Sequence, residues 1–224
     1  MTARVIVIGG SDQGRQAIDI IEEVGGTEIC GVVDRRGHGG DVVAGYPLLG
    51  SDEDIAAYAV SNGATAFVVA IGDNTARYRV LTREIERSPH LEAMRVVHPS
   101  AVVARSADIG PGSIIMAGVV VSNGCRVGQG ALLGTRSSLD HDSVLGDCSS
   151  LAPGVTTGGG VRIGDRTAIG LGANVIHGVT IGGNTVVGAG ALVVDDLPDG
   201  VVAYGVPARV ARSRDPDEPY LTGS

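Results

Sequence analysis

The sequence predicts two architectures in tandem, an α/β unit over about residues 1–95 and an all-β parallel β-helix over about 96–212. Three observations carry this reading. An aliphatic residue recurs at every sixth position through the second half. The chain holds 36 glycines, yet aromatic residues make up 3% and Trp is absent. Its core is therefore built from Val, Ile, Leu and Ala, with many tight turns. The first residues read strand, glycine-rich turn, helix, strand.

In the first domain, residues 4–9 read as a buried parallel strand, followed by Gly9-Gly10-Ser11-Asp12-Gln13-Gly14 and an amphipathic helix to about Val24. A second strand, Glu28 to Val33, ends in Asp34-Arg35. This is a Rossmann-like βαβ unit. Free N–H groups and the helix dipole favour an anion at the helix start. Gly9, Gly10, Ser11, Gln13 and Gly14 are thus candidates for a phosphate-bearing substrate, with Asp34 and Arg35 beside them and Asp34 available to a ribose or base. Ser11 stands where the dinucleotide fingerprint places its second Gly, which disfavours an NAD-dependent oxidoreductase. Ser51-Asp52-Glu53-Asp54 looks like a helix start. A third strand, Thr65 to Ile71, ends in Gly72-Asp73-Asn74, and Gly72 and Asn74 join the candidate substrate set. A helix over about 75–87, a break at Ser88-Pro89-His90 and a strand from Met94 to Val97 complete the domain.

The repeat begins at Val97 and runs Val103, Ile109, Ile115, Val121, Val127, Leu133, Leu139, Leu145, Leu151, Thr157, Ile163, Ile169, Val175, Ile181, Val187, Val193. Only Thr157 departs from the aliphatic pattern. Four residues after each sits a mostly small or β-branched residue, such as Ala107, Ser113, Cys125 or Ser143. A period of six fits neither a helix nor simple strand alternation. It fits a parallel β-helix in which three strand-and-turn units close one triangular coil. At about 4.8 Å per coil the prism is roughly 25 Å tall. The polar tail, 213–224, is expected to be disordered.

The formal net charge is −8, and the basic residues, all Arg, form no block, so a nucleic-acid partner is not expected. Neither a membrane-spanning run nor a secretory start is legible. Cys30, Cys125 and Cys148 are scattered without a CxxC, which suggests free thiols in a cytoplasmic protein and no zinc site.

Hexads such as Ile163-Gly164-Asp165-Arg166-Thr167-Ala168 closely resemble those of hexapeptide-repeat acyltransferases. The resemblance implies a left-handed β-helix, a homotrimer, and acetyl-CoA bound between neighbouring subunits. Gly205-Val206-Pro207-Ala208-Arg209 looks like the family's exit segment beside the CoA tail. That places Pro207 and Arg209, with Leu171, His177 and Ala189, among the implied CoA contacts. The domain order, Gly9 to Gly14, Val69 to Asn74, His98 to Ala101, and Leu139 to Gly146 together resemble the nucleotide-amino-sugar N-acetyltransferases and sialic acid O-acetyltransferases, the bacillosamine-pathway type above all. By that resemblance the first domain holds a nucleotide-linked amino sugar of the UDP-4-amino type, His141 is the general base, and no metal takes part. The alternatives are O-acetylation of a sialic acid, a non-catalytic scaffold, and an NAD-linked oxidoreductase. A γ-class carbonic anhydrase shares the β-helix but needs three zinc-binding histidines, which are not evident here. Gly134, Ser150 and Gln13 depart from the family pattern and bear on the acceptor and CoA contacts.

Stacking by whole coils gives an independent geometric expectation. One corner column runs Arg105, Asn123, His141, Gly159, His177, Asp195. Gly159 then lies one rung, about 4.8 Å, from His141. Imidazole supplies a base and the Gly159 N–H an oxyanion donor. Asp142 or Asp140 orients the ring. Thr157-Gly158-Gly159-Gly160 interrupts the aliphatic register at this rung, as though making room for a ligand. His141 should lose its base function by protonation below about pH 6.

Overall fold

The computed structural model describes residues 2–35, 40–51, 53 and 55–220. Asp52 and Asp54, in the expected helix start, lie outside the described residues. The first domain runs β1 (Ala3–Ile8), α1 (Asp12–Val24), β2 (Thr27–Val33), β3 (Val42–Val43), β4 (Tyr46–Gly50), α2 (Ile55–Asn62), β5 (Ala66–Val69), α3 (Asn74–Arg87) and β6 (Glu92–Ala93). Its six-stranded sheet has the order β3-β4-β2-β1-β5-β6. All neighbours are parallel except β3 against β4, a short antiparallel pair not anticipated from the sequence. The unbroken apolar runs of β1 and β5 follow from burial on both faces. Val5 to Ile8 and Phe67 to Val69 are at most 1% exposed. Asp73 caps α3 by accepting the Ala76 N–H at 2.9 Å. Among the described residues no helix is long and apolar enough to cross a membrane.

Seventeen two-residue strands follow, β7 (Val96–Val97) to β23 (Leu192–Val193), each starting six residues after the last. Each ends on the residue that the sixfold series singles out. Strands three apart pair in parallel, as Ile115 with Leu133 and Leu133 with Leu151, so the ladder advances one coil every 18 residues. The result is a left-handed β-helix with three sheets as its walls. The series residues fill the axis: Leu133, Leu139, Leu145 and Leu151 are all 0% exposed. Corner hydroxyls stitch successive turns. Ser149 Oγ donates to Gly164 O at 2.6 Å and accepts the Thr167 N–H at 3.0 Å, and Thr167 Oγ1 does the same for Gly182 and Thr185. The third residue after each series residue is held at positive φ in most turns. Glycine takes it at positions such as 124 and 160, while Arg136, Asp142, Cys148, Arg166 and Asn184 adopt it with a side chain.

The wall beginning at β7 packs under the first domain, burying its outward Val96, Ile114 and Ala168. Arg77 is the bolt. It reaches from α3 into the prism, 1% exposed, and donates to Gly130 O, Cys148 O, Ile71 O, Gly72 O and Asn74 Oδ1. Burial pushes its pKa down from the ordinary arginine value. Of the remaining walls, one presents Val102 and Val120 but also Ser138, Thr156 and Asn174. The strongly aliphatic wall is therefore the one already covered.

The tail corrects an expectation of disorder as far as residue 220. After β24 (Val201–Gly205) and β25 (Ala208–Ser213), Arg214 is buried and bonds Asn184. Tyr220 donates to Gly72 O at 3.0 Å, and its hydroxyl lies 3.3 Å from that of Ser150. Ser150 thus lies under this tail. Its burial and partner explain a small polar residue there.

Candidate active site

His141 stands in the turn after β14 (Ser138–Leu139), exposed, with its ring against Gly159 in the turn one coil higher. A Cβ built on Gly159 would fall 2.3 Å from His141 Nε2 and 2.4 Å from Cε1. Only glycine leaves space for the imidazole at this distance. The two turns are tied by Gly160 N–H donating to His141 O at 2.8 Å, and Gly178 N–H donating to Gly159 O at 2.9 Å ties the Gly159 turn to the His177 turn above it. The predicted column is thus present in the backbone, with His177 exposed on the next rung.

The two flanking acids divide their work. Asp140 accepts the backbone N–H of His141 at 2.8 Å. Asp142 Oδ2 lies 3.0 Å from His141 Nδ1. A carboxylate on Nδ1 holds the proton there and leaves Nε2 as the lone-pair nitrogen, facing Gly159. The Asp142 hydrogen bond, and after it the nearby Asp140 charge, raise the His141 pKa above its ordinary 6.5. The base should therefore be lost on acidification at a higher pH than the expected value near 6. Asp142 is one of the turn residues that take positive φ, 57°.

The Gly159 N–H has no acceptor among the described residues. At some equivalent turn positions the N–H is taken by a side chain, as Gln129 by Asp147 at 3.0 Å and Asp147 by Asp165 at 2.8 Å, while Asn123 and His177 of the same column, like Gly159, have an open N–H among the described residues. A free donor beside a lone-pair nitrogen suits a reaction that moves a proton while negative charge grows on an oxygen.

The implied CoA residues fall on two corners. Gly159 and His177 share the His141 column, and Arg209 joins its top through an ion pair with Asp195 at 3.1 Å. Leu171, 58% exposed, and Ala189 belong to another corner, a strand away. Pro207 is exposed in the turn between β24 and β25. One chain does not gather this set.

In the first domain Gly9 has φ 113°, and a Cβ there would meet Ala70 O at 2.5 Å. At Gly14 a Cβ would meet Gly9 O at 1.9 Å, so the start of α1 needs this glycine to pack on the loop. Ser11 is the N-cap residue but its side chain makes no cap bond. Gln13 Nε2 is buried without a partner among the described residues, and Arg35 is exposed. Asp34 Oδ2 accepts the Gly10 N–H at 2.7 Å, so one carboxylate oxygen shapes the loop itself. Gly72 and Asn74 correct the expectation that they face substrate. Asn74 is 1% exposed, donating to Thr167 O at 3.0 Å and accepting from Arg77 at 2.6 Å, while Gly72 O accepts from Arg77 and Tyr220. Both belong to the seam between domain and prism. Nothing in the sequence singles out Arg77 from the surface arginines of α3.

A prism of six-residue turns, with an imidazole set against a bare backbone N–H, defines a β-helix acyltransferase. The family model "PglD N-terminal domain" matches residues 4–83. A GDP-perosamine N-acetyltransferase from Caulobacter crescentus, solved as a histidine-to-alanine variant with CoA and GDP-perosamine, is 37% identical over 95% of this chain and 99% of its own, with TM-score 0.87. The acetyltransferase domain of PglB from Neisseria gonorrhoeae, with acetyl coenzyme A, is 31% identical over 94% of this chain and 100% of its own, TM-score 0.86. WeeI from Acinetobacter baumannii is 27% identical over 93% and 100%, TM-score 0.83. Comparison with curated proteins returns no match. The chain belongs to the hexapeptide-repeat sugar N-acetyltransferases.

Proposed function

We propose that this acetyltransferase moves the acetyl group of acetyl-CoA to the amino group of a nucleotide-linked amino sugar, with His141 as general base. The observation that carries the reading is the pairing of His141 Nε2 with the unengaged Gly159 N–H. His141 takes the proton of the attacking amine as the new C–N bond forms. The Gly159 N–H donates to the carbonyl oxygen as it becomes an oxyanion. Asp142 holds the imidazolium through Nδ1, and His141 then returns the proton to the departing thiolate as the C–S bond breaks. The bare Gly159 position and the open corner above it, where a Cβ at Gly160 or Gly178 would meet nothing within 4 Å, fit a thioester laid along the prism.

The glycine loop at the start of α1 holds the nucleotide diphosphate, with Gly9, Gly10, Ser11, Gln13, Gly14 and Arg35 nearest. The co-crystallised GDP-perosamine of the Caulobacter relative favours a GDP-linked sugar as the first to test, ahead of the UDP-linked one. The split of the implied CoA residues over two corners supports a trimer, in which a neighbour brings the second corner to the first. Steady-state thiol-release kinetics with GDP- and UDP-linked amino sugars, on a sample sized by sedimentation, test the reading. His141→Ala should lower kcat about 10²- to 10⁴-fold with CoA affinity and sedimentation unchanged. Near-normal turnover would move the base elsewhere.

A further inference from the structure

Among the paired two-residue strands of the prism, one rung is built differently from the rest. The other neighbouring two-residue strands of the prism register both their residues. Strand β14 and β17 (Thr156–Thr157) register only Ser138 with Thr156. By the pattern, the Asp140 N–H should donate to the carbonyl of residue 157, as Ser122 does to Leu139 O and Ala152 to Ile169 O, both at 2.9 Å. It donates instead to the Thr157 hydroxyl at 3.0 Å. Thr157 is 3% exposed and is the one position of the axial series that is not aliphatic. The other side of Asp140 is also held by a side chain, since Cys125 Sγ donates to Asp140 O at 3.0 Å.

Asp140 leads directly into His141 and accepts its N–H. The peptide that carries the histidine is therefore fastened between two buried side chains, Thr157 above and Cys125 below. A buried hydroxyl is costly unless bonded, and an axial stack has no packing need of one. Its effect is to place an oxygen atom between two rungs that would otherwise meet backbone to backbone, at the step that sets the spacing of the His141 ring and the Gly159 turn.

We propose that Thr157 is a positioning residue for His141, its hydroxyl replacing a ladder bond so that the imidazole and the Gly159 N–H stand apart by the distance the reaction needs. This rests on His141 being the base. Valine has the same outline without the hydroxyl, and it would return the Asp140 N–H to the backbone carbonyl in a regular, fully apolar rung. Stability and activity should then part company.

The test compares Thr157→Val and Thr157→Ser with the parent and with His141→Ala, reading kcat, KM for acetyl-CoA, the pH profile and the thermal midpoint. The valine variant should melt no lower than the parent and lose about tenfold to a hundredfold in kcat, the scale of an ångström-sized misplacement. Its KM should be near normal, and the serine variant should recover most of the loss. Equal kcat in parent and valine variant would overturn the proposal. So would a valine variant that loses kcat and melting temperature together, or a serine variant no better than valine. If His141→Ala itself turned over normally, the base assignment would fall, and this proposal with it. If His141→Ala were inactive and Thr157→Val normal, the positioning role alone would fall.

Discussion

Gly159→Ala puts one methyl group where the imidazole lies. The built Cβ sits 2.3 Å from Nε2, 2.4 Å from Cε1 and 2.8 Å from Cδ2 of His141, well inside contact. Those atoms belong to an exposed side chain, so the ring can swing away and the fold survives. Gly159 does not have the positive φ of its neighbour Gly160, at 69°, so alanine brings no backbone strain. The cost falls on catalysis: the displaced ring leaves the Gly159 N–H and loses the geometry on which the base depends. The expected loss in kcat approaches that of removing the base, about 10²-fold or more. The decisive assay is a double-mutant cycle. In a His141→Ala background no ring remains to collide, and Gly159→Ala should cost little further. Two outcomes would refute the reasoning. One is near-normal kcat in the single variant. The other is the same fractional loss with and without the imidazole, which would place the methyl's effect on the thioester and not on the histidine.

Two further outcomes follow from charge and burial. The His141 pKa is raised, with the Asp142 hydrogen bond as the first cause, so kcat/KM in the parent should fall as pH drops through a value above 6.5, where the neutral base is lost. Asp142→Asn keeps a residue that tolerates positive φ and removes the charge; its acid limb should move to lower pH, and a limb that stays put in the pH–rate profile would contradict the assignment. Arg77→Met should strip donors from several buried oxygens at the seam and lower stability by about 3 kcal/mol or more, read from urea unfolding; a change below about 0.5 kcal/mol would show that the seam does not depend on it.

The prism is legible because an inward residue every six positions is also the strand terminator, so one periodic signal specifies both spacing and direction. The His141–Gly159 stack follows from that register by counting. What counting does not supply is any hydrogen bond made by a side chain across rungs. Thr157 reads as a gap in the aliphatic series, while its hydroxyl is in fact a substitute for backbone. Asn74 and Gly72 read as substrate residues because a strand's carboxyl end usually faces a ligand; here the prism occupies that side. Arg77 is invisible because a charged helix residue is by default a surface residue, and only the neighbouring wall, distant in sequence, buries it. The antiparallel pair of β3 and β4 escapes notice because β3 is only two residues long and follows a polar loop. The tail's polarity alone suggests disorder, and its Tyr220 and Arg214 anchors lie far from their partners in the chain.

The 18-residue advance of the ladder makes chain length quantised in this protein. A residue's wall and column depend on its remainder within the coil, not on its distance from the start. Deleting residues 161–178 would join Gly160 to Val179. Ile181 would then take the place of Ile163, its present partner one coil below, and the columns would close up in register. Deleting six residues would pass every later residue to the next wall. Even a whole-turn deletion lowers the top of the prism by one rung, about 4.8 Å. The tail would register that change, because it is anchored near the top at Asn184 through Arg214 and on the first domain at Gly72 through Tyr220. It works as a gauge cut to one number of coils.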